Sequence, residues 1–411
     1  MKFPEKPKVK RDVYLDHAAT TYVAPEVRAV IEPYFEKAFG NASSLYKLGR
    51  EAREAVEQAR KTVAHILNAS PVEIIFTSGG TESINTALFG IAHKHKEHGK
   101  HIISCGIEHH AVLHALDALR ADGFEITLVP VDEHGFVDPT DVVKALRPDT
   151  ILVTIMYANN EVGTVEPITE IGRKILKWRK ENKTVYPFFH TDACQAGGVL
   201  DLNVEQMHVD LMTLNGSKIY GPKGVGILYK RRTVALRPLI VGGGQEMHVR
   251  AGTENVPGIV GFAKALELAQ NNKQEENMRL SQLRAYFWER IVAEIFDVKL
   301  NGPELGGLRL PNNLNVGFNG IEGEALVFYI DEYGVSASTG SACTSADAEP
   351  SHVMRAMGLS FDRISSSVRF TMGKRTTRED IDYVMQYLPG VVAGLRESFI
   401  FQKGNHKKVA S

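Results

Sequence analysis

Cysteine is scarce in this chain: only Cys105, Cys194 and Cys343 occur among 411 residues, far apart and outside any CxxC pair. That usage excludes a secreted disulfide framework and a thiolate zinc knuckle. No apolar run approaches the ~20 residues of a membrane span, and the basic start MKFPEKPKVKRD lacks the apolar stretch of a signal peptide. It reads as a solvated arm on a cytoplasmic protein with no membrane partner. An excess of one charge is also missing. Against 49 Asp plus Glu stand 48 Lys plus Arg, a formal net charge of −1, without the basic field that gathers nucleic acid directly. Apolar residues, by contrast, make up 43% of the chain. At roughly 100–200 residues per domain, that supports about two to four domains and a large core.

From about residue 51 to residue 230, helical periodicity alternates with short β-branched runs, the pattern of a mostly parallel sheet covered by helices. Ala52, Ala55, Val56, Ala59, Val63, Ile66 and Leu67 recur at three- and four-residue steps and predict one buried helix face. Strands are expected at Ile74–Thr77, His101–Ser104, Ile126–Val131, Ile151–Tyr157, Val185–His190 and Leu211–Leu214. A last run, Gly226–Tyr229, follows the Gly221-Pro222 turn and is expected to pair antiparallel as an edge. Past about residue 258, two polar-faced helical stretches (258–272 and 275–296) precede strands at Leu314–Phe318 and Val368–Thr371. The expected division is a large α/β domain, 19–258, and a smaller α+β domain from 1–18 and 259–411. The tail QKGNHKKVAS reads as frayed.

Three features point to chemistry. The predicted strand Ile74–Thr77 runs into Ser78-Gly79-Gly80-Thr81-Glu82-Ser83 and then a helix, a combination that exposes backbone N–H groups to an anion. It is neither GxxxxGK[ST] nor GxGxxG, which argues against a P-loop enzyme and a dinucleotide binder; a plain capped turn would look the same. Asp192 stands at the C-terminal end of an apolar strand, the edge where open α/β sheets bind ligands, although an N-cap is the bland alternative. Strand Leu211–Leu214 leads into Asn215-Gly216-Ser217-Lys218, with Lys223 beyond, and spacing leaves either lysine open as a Schiff-base amine or a solvated cation. Together, a phosphate cradle, a strand-end carboxylate and a loop amine meet the needs of pyridoxal 5'-phosphate.

On these residues the chain resembles the cysteine desulfurases, fold-type-I pyridoxal-phosphate enzymes of the class-V aminotransferase group. The resemblance rests on Tyr14-Leu15-Asp16-His17-Ala18-Ala19-Thr20-Thr21, Gly40–Ser44, Thr77–Ser83, Glu108-His109, Asn159–Gly163 and Asp192–Gln195. It extends through Lys218–Gly224, Arg250–Thr253 and Gly340–Ser345, covers about residues 12–395, and is strongest with the iron–sulfur-cluster and nitrogen-fixation class. It implies a homodimer in which Lys218 holds the cofactor, Asp192 pairs with its ring nitrogen, Gln195 bonds its ring hydroxyl and His109 stacks on the ring. Gly80, Thr81, Asn215 and Ser217 would hold the phosphate, with Thr253 reaching it from the other subunit. Asn160 and Arg369 would take the carboxylate of L-cysteine. Cys343, on a loop of about 336–348, would accept the sulfur and pass it to an acceptor or iron–sulfur scaffold protein, for cluster assembly or tRNA thiolation. That thiol is also a candidate transient cluster ligand; no resident metal is implied.

The residues around Cys343 agree with that role, being small and polar on both sides and giving the thiol little to pack against. Cys105, on a predicted strand, reads as a core thiol, whereas Cys194 is left open because it adjoins Asp192. One departure is local: the family usually places His before the cofactor lysine, where this chain has Ser217. Rival readings are another pyridoxal-phosphate reaction (aminotransferase, selenocysteine lyase or β-lyase) and a weakly active sulfur-relay scaffold. His93, His95, His98 and His101, with His110 and His114, raise a metal-dependent hydrolase, against which stand the missing HExxH and a solvated helix end.

Overall fold

The computed structural model describes residues 3–340 and 350–409. Its main sheet uses β2 (Ile74–Thr77), β3 (His101–Cys105), β4 (Glu125–Val129), β5 (Thr150–Thr154), β6 (Phe188–Asp192), β7 (Leu211–Asn215) and β8 (Gly226–Lys230), in the order β2-β8-β7-β6-β5-β3-β4. Strands β3, β5 and β6 are buried at every position. Alternate residues along them serve opposite cores. Ile75, Ile102, Leu152 and Phe188 join the helices Gly80–His95 and His110–Ala121 in one cluster. Phe76, Ile103, Val153 and Phe189 join Lys47–Leu67, Ile168–Glu181 and Val256–Asn271 in the other. Burial on both faces explains why these strands read as continuous apolar runs.

Strand β8 is antiparallel, as expected, but it is not an edge: it lies between β2 and β7 and pairs with both. The return from β7 is short enough to insert β8 beside it, and β2 then closes on the far side. Because β8 opposes both neighbours, β2 and β7 point the same way. Thr77 and Asn215 therefore both face Gly226, level at one end of the sheet.

A separate, second-sheet cluster forms around an antiparallel sheet of β9 (Val298–Leu300), β10 (Asn313–Phe318) and β12 (Ser367–Thr371), in the order β12-β10-β9. It includes Val13, Leu15, Phe287, Leu326, Phe370 and Leu388. A parallel pair, β1 (Val13–Tyr14) with β11 (Val335–Ser336), ties the N-terminal segment to it. The helix Val256–Asn271 packs with the large sheet, and in the helix that follows it Leu280 and Phe287 belong to the cluster of the smaller sheet.

Three expectations are corrected. The N-terminal segment is docked rather than freely solvated: Phe3 stacks on Tyr329 at 4.6 Å, Tyr333 donates to the Pro4 carbonyl, and Arg11 pairs with Asp380 at 2.6 Å. The last helix runs Arg378–Val409, through most of the tail read as frayed. The histidine run is only in part a solvated helix end: His98 is exposed beyond the helix Gly80–His95. His95 is buried between Tyr186 and the Ala235 carbonyl, and His101 lies inside β3 between Thr127 and Thr150. Among the described residues no group of three or more His, Cys, Asp or Glu side chains could hold a metal ion.

One buried carboxyl makes stability depend on pH. Glu166 accepts from the Val137 N–H at Oε2, while Oε1 has no partner among the described residues. Burial pushes its pKa from 4.5 up to about 8. Below 4.5 both folded and unfolded chains hold the proton. Between 4.5 and 8 only the unfolded chain releases it, so stability falls as pH rises and levels off above 8. Glu166→Gln keeps an acceptor and cannot ionise. The variant is expected to gain on the parent by a few kcal/mol, on the order of the linkage energy, between pH 5 and pH 8. Urea midpoints at both pH values measure it; an unchanged difference would refute the assignment.

Candidate active site

The C-terminal ends of β2, β7, β6 and β3 lie on one edge of the main sheet, where ligands settle in open α/β folds. From β2 the chain turns through Gly79, at φ 149°, into the helix Gly80–His95. No side chain caps that helix. Ser78 N–H is taken by Glu82 and Ser83 N–H by the Gly79 carbonyl, but Gly80 and Thr81 N–H have no acceptor among the described residues. Two free donors at a helix start form an anion cradle.

Close packing joins this turn to the other two loops. A Cβ on Gly80 would lie 2.9 Å from Cys194 Sγ and 3.5 Å from Asn215 Nδ2. A Cβ on Gly226 would come within 2.7 Å of the Leu214 carbonyl and 2.9 Å of Gly79. Gly226, which the sequence offered only as the start of a strand, is thus what lets the cradle approach β7. Its signal in the sequence is merely a glycine opening an apolar run.

Asp192 ends β6, is 5% exposed, and accepts from the Cys194 N–H at 2.9 Å. Burial, then the Asp192 charge, pushes the Cys194 thiol well up, so this cysteine is a protonated packing group against Gly80. Cys105 is a buried core thiol, likewise pushed up, beside Glu108. Gln195 donates to the Ala18 carbonyl at 3.0 Å.

After β7, Asn215 Oδ1 accepts from both Ser217 N–H and Ser217 Oγ at 3.0 Å. Its Nδ2 faces the Gly80 side, as the 3.5 Å approach requires. The Ser217 hydroxyl is therefore engaged with Asn215, and the Ser217 carbonyl accepts from Thr21 N–H and Thr21 Oγ1. Lys218 Nζ donates to the Ala19 carbonyl at 2.5 Å, and Lys223 donates to the Thr21 carbonyl at 3.1 Å. The segment from Asp16 to Thr21 thus holds the lysine loop. Nearly two hundred residues separate the partners in sequence, so spacing could not reveal them.

His109 caps the helix His110–Ala121, with Nδ1 accepting from Ala111 N–H at 3.1 Å. That bond leaves the ring proton on Nε2 when the imidazole is neutral. Arg369, on β12 and 3% exposed, donates to Asp16 Oδ1 at 2.6 Å and to the Asn160 carbonyl at 2.9 Å. Its Nε is buried without an acceptor among the described residues. Asn160 joins the site through its backbone; the neighbouring Asn159 is the structural residue, accepting from Glu161 and Val162 N–H. Thr253 is exposed and lines a cavity of about 230 Å³ with Ser78 and Gly224 of its own chain. Cys343 lies outside the described residues.

Residues 13–384 match the family model of class-V aminotransferases. The chain is 49% identical to the cysteine desulfurase IscS of Clostridium botulinum over 389 residues, covering 95% of this chain and 96% of that protein. It is 47% identical to the cysteine desulfurase IscS of Methanosarcina thermophila, with 93% of each covered. Among solved structures, a NifS-like protein superposes with a TM-score of 0.87 at 37% identity, over 94% of this chain and 100% of that one. SspA in complex with cysteine superposes with a TM-score of 0.77 at 36% identity, over 89% of this chain and 99% of that one. With the strand-end carboxylate, the loop lysine and this similarity along nearly its whole length, the chain belongs to the class-V aminotransferases, among the cysteine desulfurases.

Proposed function

We propose that this protein is a pyridoxal-phosphate-dependent cysteine desulfurase that converts L-cysteine to L-alanine and leaves the sulfur as a persulfide on Cys343. The observation that carries the reading is the packing of the Gly80 turn against both Cys194, next to Asp192, and Asn215, at the start of the Lys218 loop. The residues fit the cofactor. Two free N–H groups and the Asn215 amide suit a phosphate, a buried carboxylate suits a protonated ring nitrogen, and Lys218 suits the aldehyde. Bound there, pyridoxal phosphate supplies the electron sink for carbanion chemistry.

The chain's own residues account for the rest. Arg369 Nε is a ready donor for the substrate carboxylate, beside a guanidinium already oriented by Asp16 and Asn160. Lys218 moves the α-proton, and His109 Nε2–H can give one at the reacting face. The Cys343 thiolate attacks the substrate sulfur. The S–S bond forms, the carbon–sulfur bond breaks with its electron pair left on carbon, and protons complete alanine. No external oxidant or reductant enters this half-reaction: thiol plus cysteine gives persulfide plus alanine.

A second copy completes the protein in this reading. Phe35, Phe39, Leu45, Tyr46 and Val241 are all more than 60% exposed. Apolar residues left so open favour association with a second copy. The sulfur acceptor is a cluster scaffold or thiolation protein. Adding pyridoxal phosphate, L-cysteine and a thiol reductant to the purified protein is expected to yield alanine and sulfide in equal amounts. Transamination products or no turnover would overturn the reading.

A further inference from the structure

Glu161 lies on the loop after β5 and is 3% exposed. Its backbone is fixed from three directions: its N–H donates to Asn159 Oδ1 at 2.8 Å, and its carbonyl accepts from Asn313 and Asn315, each at 3.1 Å. The side chain is thus presented from a rigid base. Its Oε2 accepts from Ser351 Oγ at 2.5 Å, and that same hydroxyl accepts from Met354 N–H as the N-cap of the helix His352–Ala356. The same oxygen also faces Gly340, where a Cβ would lie 3.2 Å from Oε2 and where φ is +90°. Gly340 is itself tied down, its N–H donating to Ser338 Oγ, and Ser338 bridges through its backbone to Arg369.

One carboxyl therefore contacts residues on both sides of the stretch of sequence that carries Cys343. Extended, the chain from Gly340 to Ser351 could span roughly 35 Å, yet both ends stand at Glu161. Arg369 in turn donates to the carbonyl of Asn160, the residue before Glu161, at 2.9 Å. The tether point and the substrate-carboxylate site are thus parts of one rigid assembly.

We propose that Glu161 is a positioning residue for sulfur transfer: by accepting from Ser351 and seating Gly340, its carboxyl sets where the Cys343 segment starts and ends relative to Arg369. The proposal rests on the desulfurase reading. Glu161 moves no electrons and touches no substrate. What it supplies is orientation, where a displacement of about 1 Å can cost roughly 100-fold in rate.

The test uses the full-length holoenzyme in single-turnover labelling of the Cys343 persulfide. Glu161→Ala is expected to slow persulfide formation roughly 10- to 100-fold while the KM for L-cysteine stays within about twofold. Glu161→Gln keeps an oxygen that can accept from Ser351 and is expected to retain the rate within about threefold. Ser351→Ala should slow the step in the same direction and Ser351→Thr should restore it, a pair that remains informative if Glu161→Ala folds poorly. Parent-like persulfide formation in both Glu161→Ala and Ser351→Ala overturns the proposal, as does Glu161→Gln behaving like Glu161→Ala. A parent enzyme that forms no persulfide on Cys343 overturns the desulfurase reading instead, and the positioning role with it.

Discussion

Replacing Lys218 with alanine is expected to abolish turnover while leaving the fold intact. The amine is proposed to hold the cofactor aldehyde and to move the α-proton, and proton transfer alone contributes roughly 10²–10⁴ to an enzymatic rate. Loss of both roles should exceed 10³-fold, on the order of the proton-transfer contribution at least. The change costs little structurally. Lys218 is half-buried and donates to the Ala19 carbonyl, and the loop is also held independently by Thr21 to Ser217. The phosphate cradle, formed by Gly80, Thr81 and Asn215, does not depend on the amine either. Pyridoxal phosphate should therefore still associate, but dialyse away readily and lack the absorption of a lysine-bound cofactor. Absorbance before and after dialysis, with alanine formation measured alongside, checks both halves. Retained lysine-type absorption would remove Lys218 from the role and point to Lys223, which spacing alone left open.

Much of this site was legible from the residues because its parts are local. A strand followed by two glycines, an aspartate at a strand end and a lysine after a strand each declare themselves within about ten residues, and parallel topology brings strand ends to one edge. What spacing could not carry was contact between distant segments. Asp16 with Arg369 and Thr21 with Ser217 are pairings no pattern encodes. The same limit explains β8. Its turn and apolar run were visible, but whether a hairpin strand ends a sheet or is enclosed depends on β2, about 150 positions away. Polar residues misled in the opposite direction. His95 and His101 lie in a lysine-rich stretch, yet tertiary packing buries both beside hydroxyl and carbonyl partners. Nor does spacing show that the Ser217 hydroxyl bonds Asn215 Oδ1 and leaves the asparagine amide on the cradle side.

Replacing Cys343 with serine is expected to stop sulfur transfer and leave cofactor binding untouched, the reverse of the Lys218 variant. Three observations support the proposed identity of the thiol. Cys105 is enclosed in the core with its thiol pushed up by burial, so it neither ionises nor reaches substrate. Cys194 is held protonated by burial and by the Asp192 charge, and its sulfur fills the space against Gly80. The third cysteine belongs to the stretch that begins at Gly340, whose preceding residue pair, Ser338 and Thr339, leads directly from the bridge to Arg369. A serine hydroxyl at that position is a far weaker nucleophile toward sulfur near neutral pH, because almost none of it is ionised there whereas an ordinary thiol is a few per cent thiolate. Alanine and sulfide production should fall by at least about 10³-fold, the scale of losing an activated nucleophile. The cofactor's absorption, and its change on adding L-cysteine, should match the parent. Mass spectrometry of the parent after one turnover should place one extra sulfur on the peptide containing Cys343. If the extra sulfur instead appears on the peptide containing Cys194, the burial argument is wrong and the nucleophile stands at the cofactor turn.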